Sequence, residues 1–166
     1  MNEGRGTFCT VFPGYRDFHF YKDPGQIPYR FSQTGYSSSL VCYDQGSGFP
    51  ESIKYLNIIR IQDTRFSRRF NSGIVSYLLR NGRKIDILHV FHLTWSSLVF
   101  IYVYKLVNRR GFAYLKLDDC AFSGQMPWET DFPELVPGGR GSQNFKRRIK
   151  SHLVRRFFVK RVDLWS

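Results

Sequence analysis

Between Lys84 and Asp119 the apolar residues fall into two short runs with one longer stretch between them, the pattern of strand, helix, strand. Ile85 to Phe91 (IDILHVF) is rich in branched residues and follows the turn signal Asn81-Gly82. Thr94 to Asn108 is long enough for four helical turns, with Thr94 as a hydroxyl N-cap and Lys105, Arg109 and Arg110 at the far end, where positive charge suits the dipole. Phe112 to Leu117 then reads as a second strand. Two parallel strands joined by a right-handed helical crossover satisfy this order.

The same alternation runs through the rest of the chain. Thr7 to Phe12 predicts a first strand closed by Pro13-Gly14, and a Gly-bearing loop leads to a helix with Asp23 as N-cap, Pro24 in its first position, Gln26 reaching back and Gly35 as its stop. Pro28 makes that helix short or irregular. Ser38 to Tyr43 and Tyr55 to Ile61 predict the second and third strands, and Phe66, Phe70, Ile74, Tyr77 and Leu78 recur at helical spacing before Arg80. Residues Cys120 to Gly141, with three prolines and four glycines, read as a surface excursion. A basic helix from about Ser142 to Phe158 follows, with Phe145, Ile149, Leu153 and Phe157 on one face, and Val162 to Trp165 opens a sixth strand. Six strands alternating with helices predict an α/β, Rossmann-like, doubly wound and mainly parallel sheet with helices on both faces. Ending on the start of a strand, residues 1–166 are expected to be a single domain truncated there.

Composition narrows this picture only a little. A chain of 166 residues, 42% apolar and 17% aromatic, buries one ordinary core. Its 25 Lys and Arg against 13 Asp and Glu give a formal charge of +12, which attracts an anionic partner: nucleic acid, a phospholipid surface or a phosphorylated substrate. Cys9, Cys42 and Cys120 lack metal-ligand spacing and form no CxxC, which argues against a zinc site or disulfide framework and fits a reducing cytoplasm; no metal is implied. The first residues lack the apolar core of a secretory signal. Ile87 to Tyr104 carries no charged residue, yet His89, His92, Thr94, Ser96 and Ser97 would stand unsatisfied in hydrocarbon, so a buried strand plus helix outranks a membrane span.

Candidate binding residues follow from the rule that ligands of an open parallel sheet sit outside the carboxyl ends of its strands. That rule selects His92 after the fourth strand, and Asp118 and Asp119 after the fifth. Lys22 near a helix N-terminus is suited to a phosphate, or is a solvated loop lysine. His89, alternating with apolar neighbours, reads as a covered sheet-face histidine. There is no GxGxxG, so the dinucleotide fingerprint is absent, and no pair of carboxylates is fixed at the separation that glycoside hydrolysis needs. For the basic helix, Lys146, Arg147, Lys150 and Arg155 are open to three readings: a solvated face, nucleic acid, or an anionic membrane surface. Bulky apolar residues accompany the cations and no helix-turn-helix, zinc-finger or RNP signature is present, which favours the membrane and argues against nucleic acid.

The segments FPGYRDFHFYKDPGQIPYRFSQTGYSSSLVCYD, RKIDILHVFH, FAYLKLDD and FKRRIKSHLVRRFFVKRVDLWS, in this order, resemble the amino-terminal domain of GT-B retaining glycosyltransferases of the hexosyltransferase group, a family-4-like pattern covering nearly the whole chain. The resemblance implies an acceptor-side domain that faces a cleft, a glycan or lipid-linked acceptor, and a nucleotide-sugar co-substrate held mainly by a second, carboxy-terminal domain. It implies no other cofactor. In the family the loop after the first strand approaches the reacting centre, which the resemblance places here at Gly14 to Gly25, including Lys22 and Asp23. The loop after the fourth strand carries a histidine, for which His92 is the nearest candidate, with Phe91 where that histidine often stands. Leu117-Asp118-Asp119 replaces a frequent His-Asp after the fifth strand, where a carboxylate would orient a sugar hydroxyl. The resemblance thus predicts hexose transfer from a nucleotide-sugar in surface-glycan assembly at the cytoplasmic face of a membrane, with the chain alone inactive. The competing expectation is a basic, non-enzymatic α/β module for nucleic acid or anionic lipid. A receiver or flavodoxin-like domain shares the winding but calls for an acidic cluster or an FMN site at the first strand, and Thr7 to Gly14 contains no acid.

Overall fold

A computed structural model describes residues 5–44, 56–62, 71–92, 94–116 and 159–165. Its strands are β1 (Thr7–Val11), β2 (Ser37–Tyr43), β3 (Asn57–Ile61), β4 (Ile87–Phe91), β5 (Phe112–Lys116) and β6 (Leu164–Trp165). Its helices are α1 (Asp23–Gln33), α2 (Ser72–Asn81) and α3 (Trp95–Val107). The strands form one sheet in the order β3-β2-β1-β4-β5-β6, and every neighbouring pair is parallel. This is the Rossmann-like doubly wound fold. Winding reverses between β1 and β4, which distinguishes it from the flavodoxin-like order and leaves a crevice where their connections part.

Alternation along β1 shows how the sheet is covered. Cys9 and Val11 point into a core that includes Leu88, Val90, Ala113 and Leu115 from the sheet, Ile74 and Leu78 from α2, and Leu98, Ile101 and Tyr104 from α3. Phe8 points the other way and stacks on Phe31 of α1, with centroids 3.8 Å apart. On that second face Leu40, Cys42, Tyr15, Phe20 and Leu56 form a smaller core. Helices therefore lie on both sides, and β2 is buried from Ser38 to Tyr43, as a strand covered on both faces must be. Burial pushes the Cys9 thiol up to about 12, so it behaves as an apolar side chain.

The connections carry their own polar ties. Thr94 caps α3, its hydroxyl accepting the Ser97 N–H at 3.1 Å. Tyr104 reaches from the last turns of α3 to the carbonyls of Ile85 and Asp86 at 2.9 and 3.0 Å, which anchors that helix to the start of β4. Lys105 pairs with Asp163, whose carboxylate also accepts the Ala113 N–H at 2.6 Å, tying α3, β5 and the approach to β6 together.

Two expectations change. Lys22 is the N-cap of α1, and Asp23 is its first helical residue. Gln26 consequently does not reach back to the cap; its amide donates to the carbonyl of Phe20 at 2.8 Å. The cause is a 3-10 turn at Asp17–Tyr21, where only a loop was expected, which ends directly against the helix. Thr34 caps the far end and Gly35 follows at φ 94, a left-handed position that suits glycine and serves as the expected stop. The helix expected from Phe66 begins only at Ser72, behind Asn71, whose left-handed φ of 51 ends any helix there, and runs to Asn81; residues 63–70 and the basic helix expected near 142–158 lie outside the described residues.

Candidate functional site: the rim at the carboxyl ends of β1, β4 and β5

Phe12 leaves β1 and becomes the hub of the rim. Its ring lies 5.0 Å from His19, 5.5 Å from Phe91 and 5.9 Å from His92, centroid to centroid. Two imidazoles, one from the connection after β1 and one from the exit of β4, thus flank one aromatic ring at the crevice.

His19 is placed by the 3-10 turn. Its Nδ1 accepts the backbone N–H of Arg16 at 2.8 Å, a bond that only a neutral ring makes, so the remaining proton sits on Nε2. Burial lowers its pKa below the ordinary imidazole value, and the positive charges of Lys22 and Arg16 and the nearby His92 act in the same direction. His19 therefore stays a neutral ring with one N–H to donate. This histidine was not singled out from sequence, although it lies within the loop from Gly14 to Gly25 that the resemblance places near the reacting centre.

His92 is exposed and adopts φ 58, a left-handed conformation uncommon outside glycine. Its N–H donates to the carbonyl of Lys116 at 2.9 Å, and its own carbonyl accepts the Thr94 N–H at 3.1 Å. Those two bonds hold the strained residue between the end of β5 and the cap of α3. Backbone held in this way is concentrated at functional positions.

The third side of the rim is an ion pair. Lys116, last in β5, meets Asp23 of α1 at 2.6 Å, with 22% and 55% of their side chains exposed. Asp23 was expected here from sequence, whereas Lys116 was not. The carboxylate occupies the N-terminal turn of α1, where the dipole favours negative charge. A phosphate at that helix end would have to displace it. Lys22 is exposed, its ammonium 5.5 Å from the Phe18 ring.

The two candidate glycines have different surroundings. Gly14 is exposed with no atom within 4 Å of where a Cβ would stand, which leaves its backbone open to a ligand. Gly25 is buried, and a Cβ there would lie 2.7 Å from the Phe20 carbonyl and 2.9 Å from that of His19. Its role is to let the 3-10 turn rest on α1, and its N–H is already committed to the Lys22 carbonyl at 3.0 Å. Asp118, Asp119, Lys146, Arg147, Lys150 and Arg155 lie outside the described residues.

With this geometry in view, the chain was compared with known proteins. No protein-family model matches it, and no curated protein does.

His89 is buried one turn of the strand below the rim, stacked on Tyr114 at 4.7 Å, with Nδ1 3.1 Å from the Thr10 hydroxyl. Its Nε2 has no hydrogen-bond partner among the described residues. Burial, then the charge of Lys116, pushes its pKa down to about 3, so it is neutral and lies in the sheet instead of at the ligand. Among the described residues no cluster of three His, Cys, Asp or Glu is placed to hold a metal ion, and no helix is long and apolar enough to cross a membrane.

Chemically, the rim presents an aromatic hub, a fixed imidazole N–H, a second imidazole, a carboxylate and an ammonium. Such a set recognises hydroxyl groups: carboxylate and imidazole nitrogen accept, ammonium and imidazole N–H donate, and a ring face packs on C–H groups.

Proposed function

We propose that this chain is the acceptor-side domain of a hexosyltransferase, moving a sugar from a nucleotide-sugar to a hydroxyl of a glycan or lipid-linked acceptor. The observation that carries the reading is the meeting of Phe12, His19, His92 and the Asp23–Lys116 pair at the switch point of the sheet. The order of segments that resembles the GT-B glycosyltransferases points the same way. In this reading His92 and His19 hydrogen-bond the acceptor hydroxyls, Asp23 orients a neighbouring hydroxyl, and the donor diphosphate is held by a second domain. Rate acceleration comes from positioning the acceptor and from stabilising charge on the departing diphosphate. The cationic stretch with Lys146, Arg147, Lys150 and Arg155 brings the domain to an anionic membrane surface, where lipid-linked acceptors reside.

The test is an amide NMR titration of the labelled chain with mono- and oligosaccharides and with sugar nucleotides. Sugars are expected to shift the signals of Gly14, His19, His92 and Lys116, and His92→Ala should weaken that binding. Rim signals that no sugar or sugar nucleotide moves, together with RNA binding that falls steeply with salt, would refute the reading and favour a basic binding module.

A further inference from the structure

A groove of about 520 Å³ runs beside α1, lined by Tyr21, Asp23, Gln26, Ile27 and Arg30. We infer that it is a subsite for an oligosaccharide, holding the sugars that follow the reacting unit and taking an acidic, carboxylate-bearing sugar at Arg30. This inference rests on the proposed function and extends it from acceptor hydroxyls in general to an extended, acidic glycan.

Asp23 belongs to both places. It closes the rim through Lys116 and also lines the groove, so a chain leaving the rim passes directly into it. Asp23, Ile27 and Arg30 stand at i, i+4 and i+7 on one helical face, which spreads them over about 10 Å along the axis. That length accommodates more than one pyranose ring.

The lining has the character of a saccharide site. Tyr21 is 73% exposed, which leaves its aromatic ring available to a ligand. Its ring is braced edge-on by buried Phe20, centroids 5.4 Å apart, which leaves a ring face for the C–H side of a sugar. Gln26 donates its amide N–H to Phe20, which keeps its amide oxygen as an acceptor for a hydroxyl. Ile27, half-buried, provides apolar floor. Arg30 is exposed and forms no ion pair with any described residue. A planar guanidinium at the end of such a groove is matched by a carboxylate, which it binds through two parallel bonds. Asp23 at the other end sets the polarity: hydroxyl-rich near the rim, acidic beyond it.

The experiment measures binding of the full chain to immobilised neutral and uronate-containing oligosaccharides of equal length, for the native protein and for Tyr21→Ala, Arg30→Gln and the control Arg83→Gln. All three side chains are exposed, so each variant folds. Acidic oligosaccharides are expected to bind more tightly than neutral ones. Tyr21→Ala should weaken both by about tenfold, the scale of uncovering one aromatic face. Arg30→Gln should abolish the preference for acidic chains, and Arg83→Gln should leave it intact. Equal binding of single sugars and longer chains, no effect of Tyr21→Ala or Arg30→Gln, or an equal loss in Arg83→Gln would overturn the subsite. A nucleoside diphosphate shifting Tyr21 and Arg30 in place of a glycan would overturn it as well. Sugars that shift His19 and His92 but not Tyr21 would sink this inference and leave the proposed function standing; no glycan binding anywhere would sink both.

Discussion

Replacing Gly25 by alanine should damage the molecule in a way that the same change at Gly14 does not. A Cβ on Gly25 meets the carbonyl oxygens of Phe20 and His19 at 2.7 and 2.9 Å, and both belong to backbone that cannot swing aside like a side-chain end. Forcing a methyl into closed packing costs about 1–3 kcal/mol, and a backbone obstacle places the cost at the upper end. Alanine in a helix returns about 1 kcal/mol, so the net loss is about 2 kcal/mol. At Gly14 there is nothing within 4 Å, and stiffening the unfolded chain leaves stability unchanged or raises it by up to about 1 kcal/mol. Urea unfolding followed by circular dichroism reads the difference. With a slope of about 2 kcal/mol/M, the midpoint of Gly25→Ala should fall by about 1 M while that of Gly14→Ala stays or rises. The His19 amide signal should move in the first variant, because the displaced 3-10 turn carries it. Equal stability of Gly25→Ala and the native chain, or an equal loss in Gly14→Ala, would refute the claim that close contact of the two backbones builds this corner of the rim.

The remaining predictions concern buried polar groups. His89 has its pKa depressed from 6.5 to about 3, so protons bind the unfolded chain first: its contribution to stability is intact above about pH 6.5 and declines as pH falls towards 3, by about 1.4 kcal/mol per unit. The ring signals of His89 should therefore show no titration between pH 8 and 5, and His89→Gln should flatten the acid limb of the stability profile; a folded-state midpoint above 6 would contradict this. Tyr104→Phe removes one donor from each of the carbonyls of Ile85 and Asp86, which keep the Asn108 amide and the Phe112 N–H, and should cost about 0.5–1.5 kcal/mol in urea unfolding, whereas an unchanged midpoint would mean that the hydroxyl adds nothing to the anchoring of α3.

The sequence alone was sufficient for the repeating plan. Branched apolar runs at Thr7, Ser38, Asn57, Ile87 and Phe112, separated by stretches of helical length, leave a parallel sheet as the economical solution, and the Thr94 cap and the Gly35 stop are readable because they act within a few residues of chain. Which residues share the rim was only partly readable, since the strand-end rule selects positions and not partners. It reached His92, and the resemblance reached Asp23, but Lys116 reads as a surface cation until β5 lies beside β4 and brings it within 2.6 Å of a carboxylate 93 positions earlier in the chain. His19 had no signal of its own, because its orientation depends on a 3-10 turn that the Arg16 N–H closes through the ring itself. Gly25 was legible as a glycine near a helix start and not as the point where two backbones touch. Local patterns are set by neighbours along the chain and survive as sequence; the rim is set by strand order, which brings distant residues together through contacts that no periodicity encodes.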